Sequence, residues 1–150
     1  MNLYDPEKAA RVWQRVQGAS VDTAAVGLQG LLIRAATDAQ TYLALSRHYT
    51  GKPSALLQQM ARQEQWCVAC LKGICTLVRG AAPSLPSSAP PTGSPEATLR
   101  KCYRNALQSL ADYDTRRTDP EYGQVFSVLA DQKRTHCMHI LALLGTTVGK

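Results

Sequence analysis

Residues 56–71 are Leu-Leu-Gln-Gln-Met-Ala-Arg-Gln-Glu-Gln-Trp-Cys-Val-Ala-Cys-Leu. Apolar residues recur in this stretch at helical spacing, and one carboxylate, Glu64, falls on the apolar stripe. Residues i and i+3 are neighbours on a helix, so a Glu-x-x-His pair places two metal ligands on one face. Here Cys67 stands where that pair needs its histidine. The stretch predicts a buried helix of an all-α bundle in which half of a metal-binding pair is missing.

The composition is typical of a soluble helical protein. The chain has 150 residues, of which 45% are hydrophobic and 6% aromatic, which suggests a single domain over residues 1–150. Its start lacks the layout of a secretory signal, and no window approaches the roughly 18 apolar residues of a membrane span. We therefore expect a cytoplasmic protein with reduced thiols and no membrane partner.

The net charge of +6 could favour an anionic partner. The basic residues are dispersed along the chain, however, and no aromatic residues alternate with them as single-strand binding requires. No nucleic-acid partner is expected.

Helical periodicity predicts four long helices preceded by a short one. The short helix begins at Asp5-Pro6, where the aspartate can cap it and the proline takes its first position. The predicted segments are an N-terminal helix in residues 1–20, the first and second long helices in residues 23–80, and the third and fourth in residues 96–146.

Residues 81–95 form a segment rich in proline and serine, and its five prolines forbid a helix. Fifteen extended residues span up to about 50 Å, whereas the second long helix is roughly 37 Å long. The segment can therefore run the full length of a bundle and start the third helix parallel to the second.

The two halves of the chain match weakly, as an internal duplication would. With a shift of 71 and then of 68 residues, the paired positions are Ala35 with Ala106, Glu64 with Gln132, and Cys67 with Thr135.

Three stretches carry a resemblance to a known family: Leu-Ile-Arg-Ala-Ala-Thr-Asp-Ala-Gln-Thr-Tyr (32–42), Met-Ala-Arg-Gln-Glu-Gln-Trp-Cys-Val-Ala-Cys-Leu (60–71) and Leu-Ala-Asp-Gln-Lys-Arg-Thr-His (129–136). Over roughly residues 24–146 the chain resembles the ferritin-like superfamily, specifically rubrerythrin-type bundles. The resemblance implies a soluble, bacterial-type protein with a left-handed four-helix bundle and a long crossover between the second and third helices (the B–C crossover). Such proteins hold two irons with glutamates and Glu-x-x-His pairs, for oxidase or peroxidase chemistry or iron handling.

Carried over residue by residue, the resemblance implies that the di-iron site is degenerate. The six ligand positions are occupied here by Ala35, Glu64, Cys67, Ala106, Gln132 and Thr135. Only Glu64 keeps a ligand, whereas a di-iron site in a bundle core needs four carboxylates and two imidazoles. No metal or other cofactor is therefore expected. A buried Glu64 without a cation should be neutral, hydrogen-bonded or in contact with water, and Gln132 and Thr135 are the expected neutral partners of such a network.

The leading hypothesis is a non-catalytic binding or interaction protein that kept the bundle and lost the metal. One arrangement open to such a protein is a homo-oligomer formed through its helix faces. The alternative from another class is an iron-dependent oxidoreductase or peroxidase with displaced ligands. It would use Asp38, Glu64, Asp131 and His136, if the helix faces rotate by about one residue.

A third hypothesis is a thiol-based metal-binding or redox protein. Cys67-x-x-Cys70 and His136-x-x-His139 have zinc-like spacing. The second and fourth helices are antiparallel, however. If Cys67 and Thr135 lie in the same layer, Cys70 and His139 would therefore lie about two helical turns apart. A partial site of Cys67, Glu64 and His136, or redox chemistry that also involves Cys102, remains open.

Overall fold

The computed structural model describes residues 21–81, 84–85, 87, 89 and 91–148, with side chains described between residues 27 and 146 of these ranges. These residues form four α-helices and no strand, which confirms the prediction of an all-α chain with four long helices. The helices are α1 (Val21–Ser46), α2 (Gly51–Arg79), α3 (Pro95–Asp114) and α4 (Gly123–Val148). The short helix predicted within residues 1–20 lies outside the described residues.

Local signals set the ends of α2 and α3. Gly80 follows α2 in the left-handed conformation (φ 79°), and its N–H donates to the carbonyl of Thr76 at 2.8 Å. Glycine adopts this conformation without a Cβ penalty, so the helix ends there. The side chain of Ser94 accepts a hydrogen bond from the N–H of Ala97 at 3.1 Å, and Pro95 occupies the first turn of α3.

The connection between α3 and α4 is a compact loop of residues 115–122. The Asp119 carboxylate accepts hydrogen bonds from the N–H groups of Glu121 (2.9 Å) and Tyr122 (2.8 Å). At Gly123, where α4 begins, a Cβ would collide with the carbonyl oxygen of Arg117. The close backbone approach therefore requires glycine at this position.

Two apolar clusters fill the bundle, one toward each end. The first joins the early part of α1, the late parts of α2 and α3, and the early part of α4, through Leu32, Leu71, Ile74, Tyr113, Phe126 and Leu129. The second joins the late part of α1, the early parts of α2 and α3, and the late part of α4, through Leu45, Leu57, Met60, Leu99, Ile140 and Leu143. It follows that α1 and α2 are antiparallel, α3 and α4 are antiparallel, and α2 and α3 point the same way.

Each helix contacts two others. α1 packs chiefly on α2 and α3 chiefly on α4, and the two pairs meet where α1 contacts α3 and α2 contacts α4. Arg34 of α1 strengthens one of these seams, because its Nη1 donates to Ser109 (3.2 Å) and to Asp112 (2.8 Å) of α3. The α2–α4 seam is the counterpart on the opposite side, and the residues described next lie between the two seams.

Candidate functional site

A layer of ionisable side chains separates the two apolar clusters in the middle of the bundle. We name it the Lys133 cluster, and its members are Asp38 of α1, Glu64 of α2, and Lys133 and His136 of α4. All four are at most 1% exposed. Charged side chains are almost never buried to this degree unless they are paired, so their contacts define the site.

The Lys133 ammonium connects the two carboxylates. Its Nζ donates to Oδ2 of Asp38 at 2.8 Å and also to Oε1 of Glu64. Desolvating three ionic groups costs several kcal/mol per ion, and the close opposite charges offset that cost. The cation thus occupies the space between carboxylates supplied by two other helices.

His136 extends the cluster toward α2. Its Nδ1 lies 3.1 Å from Oε1 of Glu64, and its Nε2 lies 2.7 Å from Oε1 of Gln63. The ring of Tyr42 meets the imidazole edge-on, with centroids 5.7 Å apart. Lys133 and His136 are three residues apart on α4, so one helical face presents both.

Two polar atoms of this region are buried with no hydrogen-bond partner among the described residues, namely Oε2 of Glu64 and Oη of Tyr42. Each unsatisfied polar atom costs free energy. The side chains of the cluster therefore do not satisfy all of its buried hydrogen-bonding atoms.

The pKa values follow from burial and pairing. Burial alone would raise the pKa of Glu64, but Lys133 and His136 together lower it, so this carboxylate is ionised. Burial likewise opposes the charge of Lys133, yet the carboxylates of Glu64 and Asp38 raise its pKa well above the usual value, so it stays an ammonium. For Asp38, burial outweighs the attraction of Lys133 and raises the pKa. The layer is thus built around the positively charged side chain of Lys133.

The partners of Glu64 differ from the prediction. Gln132 and Thr135 were expected to be the hydrogen-bond partners of Glu64, and this expectation is wrong. The residues that contact Glu64 are Lys133 and His136, each one position later on α4, and they hold it as a carboxylate. The reason is a rotation of α4 by one residue, about 100° about its axis, relative to the internal repeat.

The other predicted positions lie around the cluster. Ala35 and Ala106 are buried in the first and second apolar clusters, and neither offers a ligand atom. Cys67 is buried in the first cluster, where its Sγ accepts a hydrogen bond from Nε2 of Gln132 at 2.8 Å. Gln132 also donates to the carbonyl of Gln63 at 3.0 Å. Gln132 therefore links α4 to α2 beside the site.

Thr135 and Asp131 face solvent. The hydroxyl of Thr135 donates to the carbonyl of Asp131 at 3.2 Å. The Asp131 carboxylate forms exposed ion pairs with Arg117 (3.0 Å) and Arg134 (3.3 Å). Of the three proposed substitute ligands, Asp38 and His136 reach the middle of the bundle and Asp131 does not.

Sequence reasoning missed Lys133, although a signal was available. The buried side of α4 follows a regular spacing of three and four residues, and Lys133 falls on it; the series is Phe126, Leu129, Ala130, Lys133, His136, Cys137, Ile140 and Leu143. A lysine on an otherwise apolar stripe indicates a buried cation when carboxylates lie on facing stripes.

These residues do not fit a di-iron centre. The space between Asp38 and Glu64 is filled by an ammonium group, which repels a metal cation, and only one imidazole is present. In the described part of the chain, no three His, Cys, Asp or Glu side chains are grouped so that they could hold a metal ion.

The cysteines are neutral thiols, four of them buried (Cys67, Cys75, Cys102 and Cys137) and Cys70 partly buried. Burial raises the pKa of Cys67 far above its usual range and that of Cys102 to about 12. It also raises the pKa values of Cys70, Cys75 and Cys137. Because the thiolate is the reactive form, these environments oppose thiol chemistry at neutral pH.

Among the described residues, no helix combines the length and apolar character needed to cross a bilayer. In comparisons with known proteins, no family model, no curated protein and no solved structure matches this chain.

Proposed function

We propose that the chain is a ferritin-like, rubrerythrin-type bundle that has exchanged its di-iron site for the Lys133 cluster, and that it acts as a non-catalytic binding or interaction protein. The direction of the helices supports the fold proposal. Because α2 and α3 point the same way, the chain between them must connect opposite ends of the bundle, as the long crossover of ferritin-like proteins does.

The position of Lys133 is the single observation that carries the proposal. Its ammonium contacts Asp38 and Glu64 at mid-length, where bundle proteins of this type place their metal ions. In such bundles the second Glu-x-x-His pair lies on the fourth helix. Here α4 presents Lys133-x-x-His136, so a cationic side chain takes the place of a carboxylate ligand.

Access also argues against catalysis. All members of the Lys133 cluster are buried, and the groups that contact them come from the bundle itself. A substrate would have to displace packed helices to reach them. The exposed helix faces are therefore the surfaces that can meet a partner.

The test is the metal content of the full-length protein after growth with added iron. We expect well below one iron per chain, in wild type and in the control Arg134→Glu. Lys133→Glu restores a Glu-x-x-His pair, and we expect it to bind iron or cobalt more tightly than Arg134→Glu does. About two irons per chain in wild type would refute the proposal.

A further inference from the structure

Charge is segregated along the chain. Between residues 27 and 81 the only carboxylates are Asp38 and Glu64, and both are buried in the Lys133 cluster. The same segment has exposed cations that form no ion pair with any described carboxylate: Arg47, Lys52, Arg62, Lys72 and Arg79. Every charged side chain on the solvent side of α2 is therefore a cation.

A groove follows the seam between α2 and α4. It is a shallow depression of about 620 Å³ that is open to solvent, and it is lined by Gln59, Arg62, Gln63, Trp66, Val128 and Gln132. We call it the α2–α4 groove. Trp66 is 47% and Val128 50% exposed, so two large apolar side chains stand at its surface.

The composition of the groove restricts its occupant. Among the described residues that line it, Arg62 alone is charged, and the other polar groups are the neutral amides of Gln59, Gln63 and Gln132. Exposed aromatic and arginine side chains are the residues that most often dominate binding energy at protein interfaces. Farther along the same side of α2, Leu77 is 74% exposed and continues the apolar surface.

We propose that the α2–α4 groove binds an acidic amphipathic helix of a partner protein. The proposal rests on the proposed binding function and names its surface and partner class. Apolar residues of the partner helix pack against Trp66 and Val128, as in other helix-in-groove complexes. Its carboxylates pair with Arg62, the cation that lines the groove.

Charge favours this occupant over a second copy of the chain. A symmetric dimer through the groove would bring two basic α2 surfaces together, and like charges across an interface cost free energy. An isolated nucleic-acid strand fits less well, because the described lining of the groove offers a single aromatic side chain, Trp66, for base stacking.

The test uses full-length protein carrying Trp13→Phe, which leaves Trp66 as the only tryptophan. The probe is a synthetic amphipathic peptide helix with leucine on one face and glutamate on its flanks. We expect saturable changes in Trp66 fluorescence that weaken as salt is added. Val128→Asp and Arg62→Glu should each reduce the affinity about tenfold or more. Arg104→Glu, at an exposed site on α3, is the matched control and should change it little.

Four results would overturn the proposal. Equal binding of a peptide with lysine in place of glutamate would overturn the proposal, as would no binding at about 1 mM peptide. It would also be overturned by tighter binding of a single-stranded oligonucleotide through Arg62, or by self-association that Val128→Asp abolishes. None of these results depends on the metal content, so this proposal can fail while the loss of the di-iron site stands.

Discussion

Replacing Lys133 with methionine removes the cation of the buried layer and keeps a side chain of similar length. The carboxylates of Asp38 and Glu64, whose side chains are 2% and 0% exposed, would then face each other without their ammonium partner. Breaking a buried ion pair by removing one partner costs about 3–5 kcal/mol, because an uncompensated charge stays buried. We expect Lys133→Met to lower the free energy of unfolding by that amount at pH 7.

The sign of the pH dependence provides a second readout. In Lys133→Met the buried carboxyls lose their ammonium partner, so the folded-state pKa of Asp38, already raised by burial, rises further above its unfolded value. Stability contributed by such groups is fully present below the unfolded pKa and is lost as the pH rises. The variant should therefore gain stability from pH 7 to pH 5. In wild type, Lys133 and His136 lower the pKa of Glu64, so this carboxylate's contribution is lost only as the pH falls below its unfolded value, near 4.5.

The assay is urea-induced unfolding followed by the helical circular dichroism signal. Arg134→Met is the matched control, because that side chain is 55% exposed and its pair with Asp131 should contribute less than about 1 kcal/mol. If Lys133→Met fails to fold, the triple variant Asp38→Asn/Glu64→Gln/Lys133→Met should fold, since it removes the buried charges together. A cost of less than about 1 kcal/mol for Lys133→Met, equal to the control, would refute the reasoning.

Three other substitutions test separate parts of the structure. Gly123→Ala should lower stability by about 1–3 kcal/mol, because the new Cβ meets the carbonyl oxygen of Arg117; an unchanged melting temperature would contradict this close approach. Gly73→Ala, in the interior of α2 with open space around it, should raise stability by about 0.5–1 kcal/mol in the same melting experiment; a loss would show that its surroundings are crowded. Burial raises the pKa of Cys102 from 9.0 to about 12, so its neutral thiol stabilises the fold fully below pH 9 and less as the pH rises toward 12. The stability difference between wild type and Cys102→Ala should therefore narrow by about 1 kcal/mol between pH 8 and pH 10 in urea titrations, whereas a constant difference would mean that this thiol is not buried.

The helices were predictable from sequence because their signals are local. Proline at 95 after Ser94 marks the start of α3, and Gly80 marks the end of α2, whatever the rest of the chain does. The burial of Glu64 was predictable for the same reason, since it lies on the apolar stripe of its own helix.

The rotation of α4 was not predictable from the internal repeat. Gln132 with Thr135 and Lys133 with His136 are both pairs at i and i+3, and they differ only in which face of the helix they occupy. A lysine is normally solvated, so it becomes a core residue only when carboxylates from other helices reach it. Those carboxylates are 95 and 69 residues away in sequence, and their convergence is a property of the packed bundle.

The most direct test of the central claim is nitrogen-15 NMR of the lysine side chains in wild type at neutral pH, with Lys133→Met used for assignment. An ammonium buried between Asp38 and Glu64 should give a signal whose protons exchange slowly with water, with magnetisation transfer to the nearby ring of Tyr42. That signal should be absent from the variant. The contrary result is that the ammonium protons of Lys133 exchange with water as fast as those of surface lysines and show no magnetisation transfer to Tyr42. In that case the middle of the bundle does not hold this cation, and the account is contradicted.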